Sequence, residues 1–176
     1  MFDRLIDLIV QFIELLKFWH VVDPYEEALV LRLGRLSRHL LCGFHWIIPF
    51  GIERVYDEHV VPTTHSLGNE SVTTKDGKSV GFHAIVTYRV RDIEKLLLEV
   101  EDGNHAVRDA CCGEIGRVLR ESTWDEICAP EILDKLTAAA RKRGFRFGVE
   151  IMSIQLAGMA LCRSIRLMQS GEIRGA

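Results

Sequence analysis

The chain has 176 residues, 48% hydrophobic and 27% charged, a composition that excludes a disordered or low-complexity protein. Its 22 basic and 25 acidic residues give a net charge of −3, which argues against nucleic acid as a partner, because nucleic-acid-binding domains usually carry a basic excess. The mean hydropathy of +0.09 is slightly high for so charged a chain, which suggests that the apolar residues are concentrated somewhere along it.

The apolar residues are concentrated at the start, in residues 1–22. Polar residues recur there in steps of three and four, and this spacing predicts an amphipathic helix with one narrow polar stripe. Pro24 is expected to end the helix, because the residue before a proline disfavours helical angles. The apolar face holds the side chains that we expect to enter a membrane: Phe2, Leu5, Ile9, Phe12, Leu16 and Trp19.

Several interpretations of this segment compete. A transmembrane helix needs about 20 mostly apolar residues, but the longest uninterrupted apolar run here is three residues. A secretory signal is disfavoured by Asp3 and Asp7. A helix lying in the membrane interface fits the polar stripe and the aromatic residue near its end. The same helix could instead pack on its own domain or on a partner protein.

After the N-terminal segment the pattern changes to strands. Residues 28–33 predict a short apolar strand, and residues 53–64 predict a less regular one that Pro62 interrupts. The dipeptide Asp76-Gly77 predicts a hairpin turn. Residues 80–90 alternate between apolar and polar side chains, so they predict the clearest half-buried strand of the chain.

The second half of the sequence predicts mainly helices. Residues 92–100 form a short helix, a longer one begins at Asn104, and a third occupies residues 131–143. Residues 149–156 return to a strand. A β-rich half followed by a mixed half is typical of an α+β fold.

An aromatic-rich segment, Gly-Phe-His-Trp-Ile-Ile-Pro-Phe, occupies residues 43–50. Pro49 restricts it to an edge strand or an extended loop. One interpretation packs Trp46 and Phe50 into the core. However, a single strand does not point all of its aromatic side chains inward, so we expect some of them, Phe44 and Trp46 included, to contact lipid beside the N-terminal helix.

The sequence shows no recognisable catalytic or metal-binding arrangement. The five cysteines include no C-x-x-C pair, so we expect reduced thiols that are mostly packed as small hydrophobic groups. The seven histidines lack metal-ligand spacing, and Cys111-Cys112 has no histidine in a protease-like context. We therefore predict no catalytic residue, no metal site and no cofactor.

Charge is segregated in the second half of the chain. Residues 92–102 hold five acidic residues and one lysine, whereas residues 141–146 hold four basic residues and no acid. A ring requires two different surface patches that meet head to tail. We predict that these two patches meet between copies of the chain, although the basic one could instead face lipid headgroups. The interface residues predicted in this way are Asp92, Glu94, Glu99, Arg141 and Arg143.

Five motifs together resemble the stomatin/prohibitin/flotillin superfamily, also called SPFH or Band 7 proteins. The motifs, in the order of the family, are residues 30–35, 43–50, 73–77, 86–92 and 148–151. The resemblance implies two α/β subdomains behind a membrane-attached N-terminus. It also implies assembly into rings or cages that organise a membrane patch and regulate neighbouring proteins.

The sequence departs from the family pattern in two places. Cys42 stands where the family often has proline, and residues 161–176 stand where most relatives continue into a long Ala/Glu-rich helix. We therefore expect a short C-terminal helical stub. Assembly would then depend on the globular domain and the N-terminal helix.

These inferences divide the chain into four parts: the membrane helix at 1–22, a β-rich first SPFH subdomain at 23–80, an α/β second subdomain at 81–160 and the stub at 161–176. The predicted function is a non-enzymatic scaffold that oligomerises on the cytosolic face of the inner or plasma membrane. Its expected partners are lipid, further copies of itself and a membrane-protein client, without nucleic acid. The alternative is a soluble binding module whose N-terminal helix docks on a partner protein.

Overall fold

The structure, a computed structural model, describes residues 18–162. Their strands are β1 (Trp19–Val22), β2 (Glu26–Arg32), β3 (Arg35–Leu40), β4 (Gly43–Trp46), β5 (Glu53–His59), β6 (Thr63–Thr73), β7 (Ser79–Val90) and β8 (Val149–Cys162). Their helices are α1 (Ile93–Leu98), α2 (Gly103–Glu121), α3 (Trp124–Cys128) and α4 (Glu131–Gly144), followed by a 3-10 turn at Phe145–Phe147. The predicted α+β class is confirmed.

The strands form three antiparallel sheets. β1 and β4 make a two-stranded ribbon, β2 lies between β3 and β5 in a second sheet, and β7 lies between β6 and β8 in a third. The hairpin predicted at Asp76-Gly77 joins β6 to β7, and Gly77 adopts the positive φ that such a turn requires. The ribbon and the second sheet therefore form the β-rich half, and the third sheet carries the helices.

The main core lies between the third sheet and the helices. Every second side chain of β7 is buried, as the alternation predicted, because one face of this central strand meets α2 and α4. The long helices bury one residue about every four positions against it. These helical core residues are Val107, Cys111, Ile115, Leu119, Ile132, Leu136 and Ala140.

Strand β2 links the two halves because it is buried on both of its faces. Leu29 belongs to the main core, whereas Ala28 and Val30 belong to a smaller cluster with Val22 and Leu40. Alternation along a strand sends neighbouring side chains to opposite faces. The short apolar strand predicted at 28–33 therefore contributes to two cores at once.

A polar relay crosses the same junction. The Tyr88 hydroxyl donates to Asn104 Oδ1 at 2.7 Å, and Asn104 Nδ2 donates to Glu58 Oε1 at 3.1 Å. Burial, aided by the charge of Glu58, raises the pKa of Tyr88 to about 12. The phenol therefore stays protonated at neutral pH and keeps its donor role in the relay.

The structure corrects the end of the predicted N-terminal helix. Trp19–Val22 is strand β1 and pairs with Gly43–Trp46, so the helix does not reach residue 22. The aromatic and β-branched residues of this segment suit a pleated surface better than a helix end. Residues 1–17, which hold the rest of the predicted helix, lie outside the described residues.

The sheets also divide the chain at a different point from the predicted residue 80. β6 is hydrogen-bonded along β7, so the change from the second to the third sheet falls near Pro62, between β5 and β6. Strand β8 extends to Cys162, so residues 161 and 162 are strand and not helical stub. Strand β3 is an element that the sequence patterns did not predict.

We expect Gly148→Ala to destabilise the fold by clearly more than the 1–2 kcal/mol that a left-handed backbone costs a non-glycine residue. Gly148 has φ +73°, and an added Cβ would lie 2.4 Å from the Asp92 carbonyl oxygen. Gly68→Ala is the matched control, because Gly68 has φ +82° and no atom within 4 Å of such a Cβ. Denaturant unfolding measures both variants, and equal losses would show that the contact with Asp92 is unimportant.

Candidate functional site

The β1–β4 ribbon has two faces of opposite character. On the inner face Val22 is buried in the smaller core, and His20 lies 2.7 Å from Asp57 of β5. The register pairs Trp19 with Trp46 and Val21 with Phe44, which places all four on the outer face. We call this surface, together with Phe18, the aromatic face: Phe18, Trp19, Val21, Phe44 and Trp46.

The aromatic face is exposed although its rings pack on one another. Phe18 stacks on Trp46 with 5.2 Å between ring centroids and meets Trp19 edge to face at 4.9 Å. Phe44 meets Trp46 edge to face at 5.4 Å. The five side chains nevertheless remain 42% to 62% exposed. An ordered, contiguous apolar patch of this kind is typical of a surface that binds lipid or another protein.

Two neighbouring turns carry further exposed apolar side chains. Leu33 is 78% exposed and Phe50 is 59% exposed, and both adopt positive φ, a backbone state that costs a non-glycine residue free energy. The Leu33 amide donates to the Ile52 carbonyl, which brings the two turns together. Exposure and strain at the same residues mark these turns, with the aromatic face, as candidates for contact with a partner.

The carboxylate of Glu53 holds this end of the molecule together. It is buried, accepts from Arg32 at 2.8 Å and from Arg38 at 3.1 Å, and also accepts the Ile48 amide at 2.9 Å. Arg38 additionally donates to the Trp46 carbonyl. One buried side chain therefore positions β2, β3 and the segment that follows β4.

The surroundings of Glu53 decide its charge. Burial by itself raises the pKa of this carboxyl, but the Ile48 amide and the two guanidinium groups outweigh that effect and hold the pKa below its usual value of 4.5. Glu53 is therefore ionised at neutral pH although it is buried. Its full set of donors satisfies the requirement that a buried charge be paired.

The structure places the sequence-predicted site residues unevenly. Trp19, Phe44 and Trp46 come together on the aromatic face, whereas the predicted residues Phe2, Leu5, Ile9, Phe12 and Leu16 lie outside the described residues. Sequence reasoning missed Phe18, Val21, Leu33, Phe50 and Glu53. The exposure of Val21 follows from strand alternation once β1 is recognised as a strand, because Val21 then shares a face with Trp19. Nothing in the sequence marks Glu53, because its partners come from other strands.

The predicted charged patches are partly engaged within the chain. Asp92 caps α1 and bridges Lys95 at 2.9 Å, and Arg141 donates to the carbonyls of Ile151 and Met152. Glu94, Glu99 and Arg143 are exposed. Arg143 also lines a surface cleft of about 290 Å³ with these further side chains: Glu114, Arg117, Lys142 and Arg146.

Two of the cysteines, Cys111 and Cys112, are at least partly buried thiols. Burial raises the pKa of Cys111 to about 12, and burial with the charges of Glu70 and Asp109 raises the pKa of Cys112. A raised pKa disfavours the nucleophilic thiolate. The expectation that most cysteines are packed is wrong, because Cys42, Cys128 and Cys162 are exposed. Within residues 18–162 no group of three or more His, Cys, Asp or Glu side chains is arranged to hold a metal ion.

Sequence comparison identifies the class of protein that this fold belongs to. The family model described as "SPFH domain / Band 7 family" matches residues 20–166, which include Val21, Phe44 and Trp46 of the aromatic face. The chain therefore belongs to the SPFH domain / Band 7 family, and the resemblance carried by the five motifs is confirmed.

Individual relatives include archaeal and bacterial proteins. An uncharacterized protein of Methanocaldococcus jannaschii is 31% identical over 145 residues, which cover 77% of this chain and 69% of the relative. An uncharacterized protein of Archaeoglobus fulgidus is 26% identical over 161 residues, 90% of this chain and 64% of the relative. Protein HflK of Borreliella burgdorferi is 28% identical over 127 residues, 61% of this chain and 40% of the relative. The chain thus spans between two fifths and about two thirds of these relatives.

The helices were also compared with the length and apolar character of a membrane-spanning helix. Among the helices formed by residues 18–162, none combines the length and the apolar character needed to cross a membrane.

We expect Glu53→Gln to lower the free energy of unfolding by about 2 kcal/mol at pH 7, the scale of hydrogen bonds to a charged group. Because the folded-state pKa of Glu53 is depressed, its contribution is complete above about pH 4.5. The contribution is then lost as the pH falls through the folded-state value. The gap between wild type and variant should therefore close in acid.

Glu150→Gln is the matched control for Glu53. Its carboxylate also binds two arginines, Arg89 and Arg91, but its side chain is 46% exposed. We expect a clearly smaller loss than for Glu53→Gln, because exposed ion pairs are screened by solvent. Urea unfolding between pH 3 and pH 7 measures both variants, and similar losses would contradict the central role of Glu53.

Proposed function

We propose that the protein is a membrane-associated scaffold that oligomerises to organise a patch of membrane and to regulate membrane proteins beside it. The observation that carries the proposal is the aromatic face. It presents two tryptophans and two phenylalanines in one ordered patch, held from behind by Glu53 and Arg38. Membership of the SPFH / Band 7 family supports the same role.

The chemistry of the aromatic face favours a lipid interface. Tryptophan is enriched where the acyl region of a bilayer meets the headgroups, because its ring is apolar and its N–H is polar. Full burial of one large apolar side chain is worth roughly 1.5–3 kcal/mol. Two tryptophans and two phenylalanines that are about half exposed retain enough free surface for partial insertion to contribute several kcal/mol.

The predicted amphipathic segment adjoins this face along the chain. Residues 1–17 end immediately before Phe18, whose ring stacks on Trp46. A helix formed by residues 1–17 in the interface would enter the bilayer beside the aromatic face. The two apolar surfaces would then act as one anchor, with the domain on the cytosolic face of the inner or plasma membrane.

Self-assembly is the second part of the proposal. The acidic stretch exposes Glu94 and Glu99 beside α1, and the basic stretch exposes Arg143 on α4. Opposite charges on two different helices, α1 and α4, suit a heterologous contact that repeats from copy to copy. Asp92 and Arg141, predicted for the same contact, already bind partners in their own chain, so we assign them a supporting role.

The proposed scaffold acts without catalysis. The buried or half-buried thiols Cys111 and Cys112 have raised pKa values, and His83 lies between Ser66 and Asn69 on the open side of β7. We therefore assign the exposed surfaces to binding: lipid on the aromatic face, copies of the chain at the charged patches, and a membrane-protein client.

A soluble binding module is the alternative, because an exposed aromatic patch also suits a protein partner. In that case residues 1–17 and the aromatic face would dock on another protein. The two functions differ in one respect that is simple to measure, which is binding to protein-free vesicles.

We expect Phe44→Glu with Trp46→Glu to lower binding to phosphatidylcholine vesicles at least tenfold, about 1.4 kcal/mol, because two charges replace inserted rings. Leu98→Glu with Leu133→Glu is the matched control, since these leucines are 44% and 38% exposed on the helices. Flotation of the full chain measures binding. Unchanged flotation of the first variant would exclude the aromatic face as a lipid anchor.

A companion variant, Leu5→Asp with Ile9→Asp and Phe12→Asp, tests the segment before the aromatic face. We expect it also to lose flotation if the two surfaces act together. If wild type itself fails to float on protein-free vesicles, the binding-module alternative replaces the scaffold.

We expect Arg143→Glu to weaken self-association about tenfold in mild detergent, because it would meet Glu99 of the neighbouring copy with a like charge. Reversing both, Arg143→Glu with Glu99→Lys, should restore association. Arg35→Glu, a reversal at an exposed site in the second sheet, should have no effect. Sedimentation velocity measures the sizes. Loss of vesicle binding at unchanged size would instead assign the basic patch to lipid headgroups.

A further inference from the structure

The outer edge of β8 is closed in its first half and open in its second. Arg141 on α4 donates through Nε to the Ile151 carbonyl at 2.9 Å and through Nη2 to the Met152 carbonyl at 3.1 Å. The Ile154 amide donates to the Thr137 hydroxyl of the same helix at 3.3 Å. Side chains of α4 thus occupy the edge where a further strand would otherwise pair.

From residue 155 onward, this cover by α4 ends while the strand continues. β8 is the last strand of its sheet, and among residues 18–162 no other strand pairs with its outer edge. Most residues from 155 to 162 are exposed, and Leu161 is half exposed. A strand edge presents unpaired amide and carbonyl groups, which are a template for pairing with another chain.

The composition of this stretch lacks the usual protection against such pairing. Residues 151–162 contain no charged side chain and no proline. β6, at the other edge of the same sheet, carries Glu70 and a register irregularity between Ser66 and Asn69, and Arg108 donates to its Ser66 carbonyl. Charges, bulges and covering side chains are the features that blunt edge strands. β6 has all three features, whereas residues 158–162 of β8 have neither a charge nor a covering side chain from α4, and the nearest register irregularity lies just before them.

The register of β8 defines the open segment. An irregularity opposite His83 and Ala84 leaves Ala157 without a partner residue in β7, and regular pairing resumes from Gly158 to Cys162. Met159 and Leu161 pair with Phe82 and Val80, so their side chains lie on the helix side of the sheet. Gly158 and Ala160 leave the opposite side nearly flat. We call Gly158–Cys162 the open edge.

We propose that the open edge pairs antiparallel with the open edge of a second copy, so that two three-stranded sheets become one sheet of six strands. We choose a second copy as the partner because the segment carries no charge. In a two-fold contact each segment lies against itself, so any charge on it would meet a like charge. A segment without charges avoids this repulsion. The contact also covers Leu161 and gives the backbone groups of the edge their partners.

This inference deepens the self-assembly in the proposed function and rests on it, since it adds a symmetric contact to the head-to-tail contact of the charged patches. The two contacts use different surfaces. Arg143 lies on α4, whereas the open edge lies where the cover by α4 has ended. A variant of one surface therefore leaves the other intact.

The first test is Leu161→Lys in the full chain in mild detergent, with the size measured by sedimentation velocity. We expect self-association at least tenfold weaker, because the axis at Ala160 makes position 161 of the two copies diagonal neighbours, about 7–8 Å apart and within reach of two lysine side chains. Leu133→Lys is the matched control, since Leu133 is an exposed leucine on α4. Circular dichroism and thermal unfolding of both variants should match wild type, because both positions are exposed.

Mixing provides the sharper result. Leu161→Lys and Leu161→Glu should each be weakened alone, whereas an equal mixture should associate as wild type does, because opposite charges now meet. Only a contact that brings residue 161 of two copies together predicts this recovery. If the mixture stays dissociated, or Leu161→Lys has wild-type size, the proposal is wrong.

Hydrogen exchange shows whether the open edge is covered by a second copy or by other residues of the same chain. Those amides of residues 158–162 that point away from β7 should be protected at high protein concentration and exchange faster on dilution, whereas the amides that bond to β7 serve as the internal reference. Protection that does not depend on concentration would mean that the chain's own residues 1–17 or 163–176 cover the edge, and it would overturn the proposal. Vesicle flotation of Leu161→Lys should equal wild type, so failure of this inference and failure of the lipid anchor are distinguishable.

Discussion

The carboxylate of Glu53 is the contact on which the exposed end of the molecule depends. A buried charge is tolerated only when donors surround it, and here the donors come from two arginines on β2 and β3 and from the amide of Ile48. Because Arg38 also binds the Trp46 carbonyl, the same group fixes the ribbon that carries the aromatic face. Large apolar rings can stay in water on this ribbon without collapsing into the core, because its backbone is anchored from within.

A similar combination of a fixed segment and an exposed segment occurs along the outer edge of β8 in the third sheet. Arg141 and Thr137 close the first half of the outer edge of β8, and the strand then continues without them. In both places side chains hydrogen-bond to the backbone of one segment, while the adjacent segment stays exposed. The surface proposed to bind lipid and the edge proposed to pair with a second copy thus lie in different sheets.

Much of the fold follows from the sequence because local patterns and tertiary environment agree. The alternation in residues 80–90 predicts β7 because that strand has one buried and one open face. The spacing in 131–143 predicts α4 for the same reason. Trp19–Val22 misleads because its apolar residues continue a helical pattern, and only pairing with β4 makes it a strand. β3 escapes detection because all but its last residue, Leu40, are exposed, which leaves no apolar alternation.

Some residues of the candidate site could be predicted from their own segment of the sequence, and others depend on residues far away along the chain. Phe44 and Trp46 could be identified because a single strand with many aromatic residues must expose some of them. Glu53 could not, because its role is created by residues 15 to 21 positions away along the chain. The open edge was equally invisible, since an edge is a property of strand order and not of any one segment.

The relay from Tyr88 through Asn104 to Glu58 has a mechanical consequence. It crosses from the helical half to β5 of the sheet that supports the ribbon, beside a β2 strand buried on both sides. Because its side chains are closely packed and the Tyr88 phenol keeps its proton, we expect this junction to hold the β-rich half and the helical half in a fixed orientation. A rotation of the aromatic face would then rotate the helices with it. If the aromatic face rests on a membrane as proposed, the slope of that membrane would thereby set the direction in which β8 points.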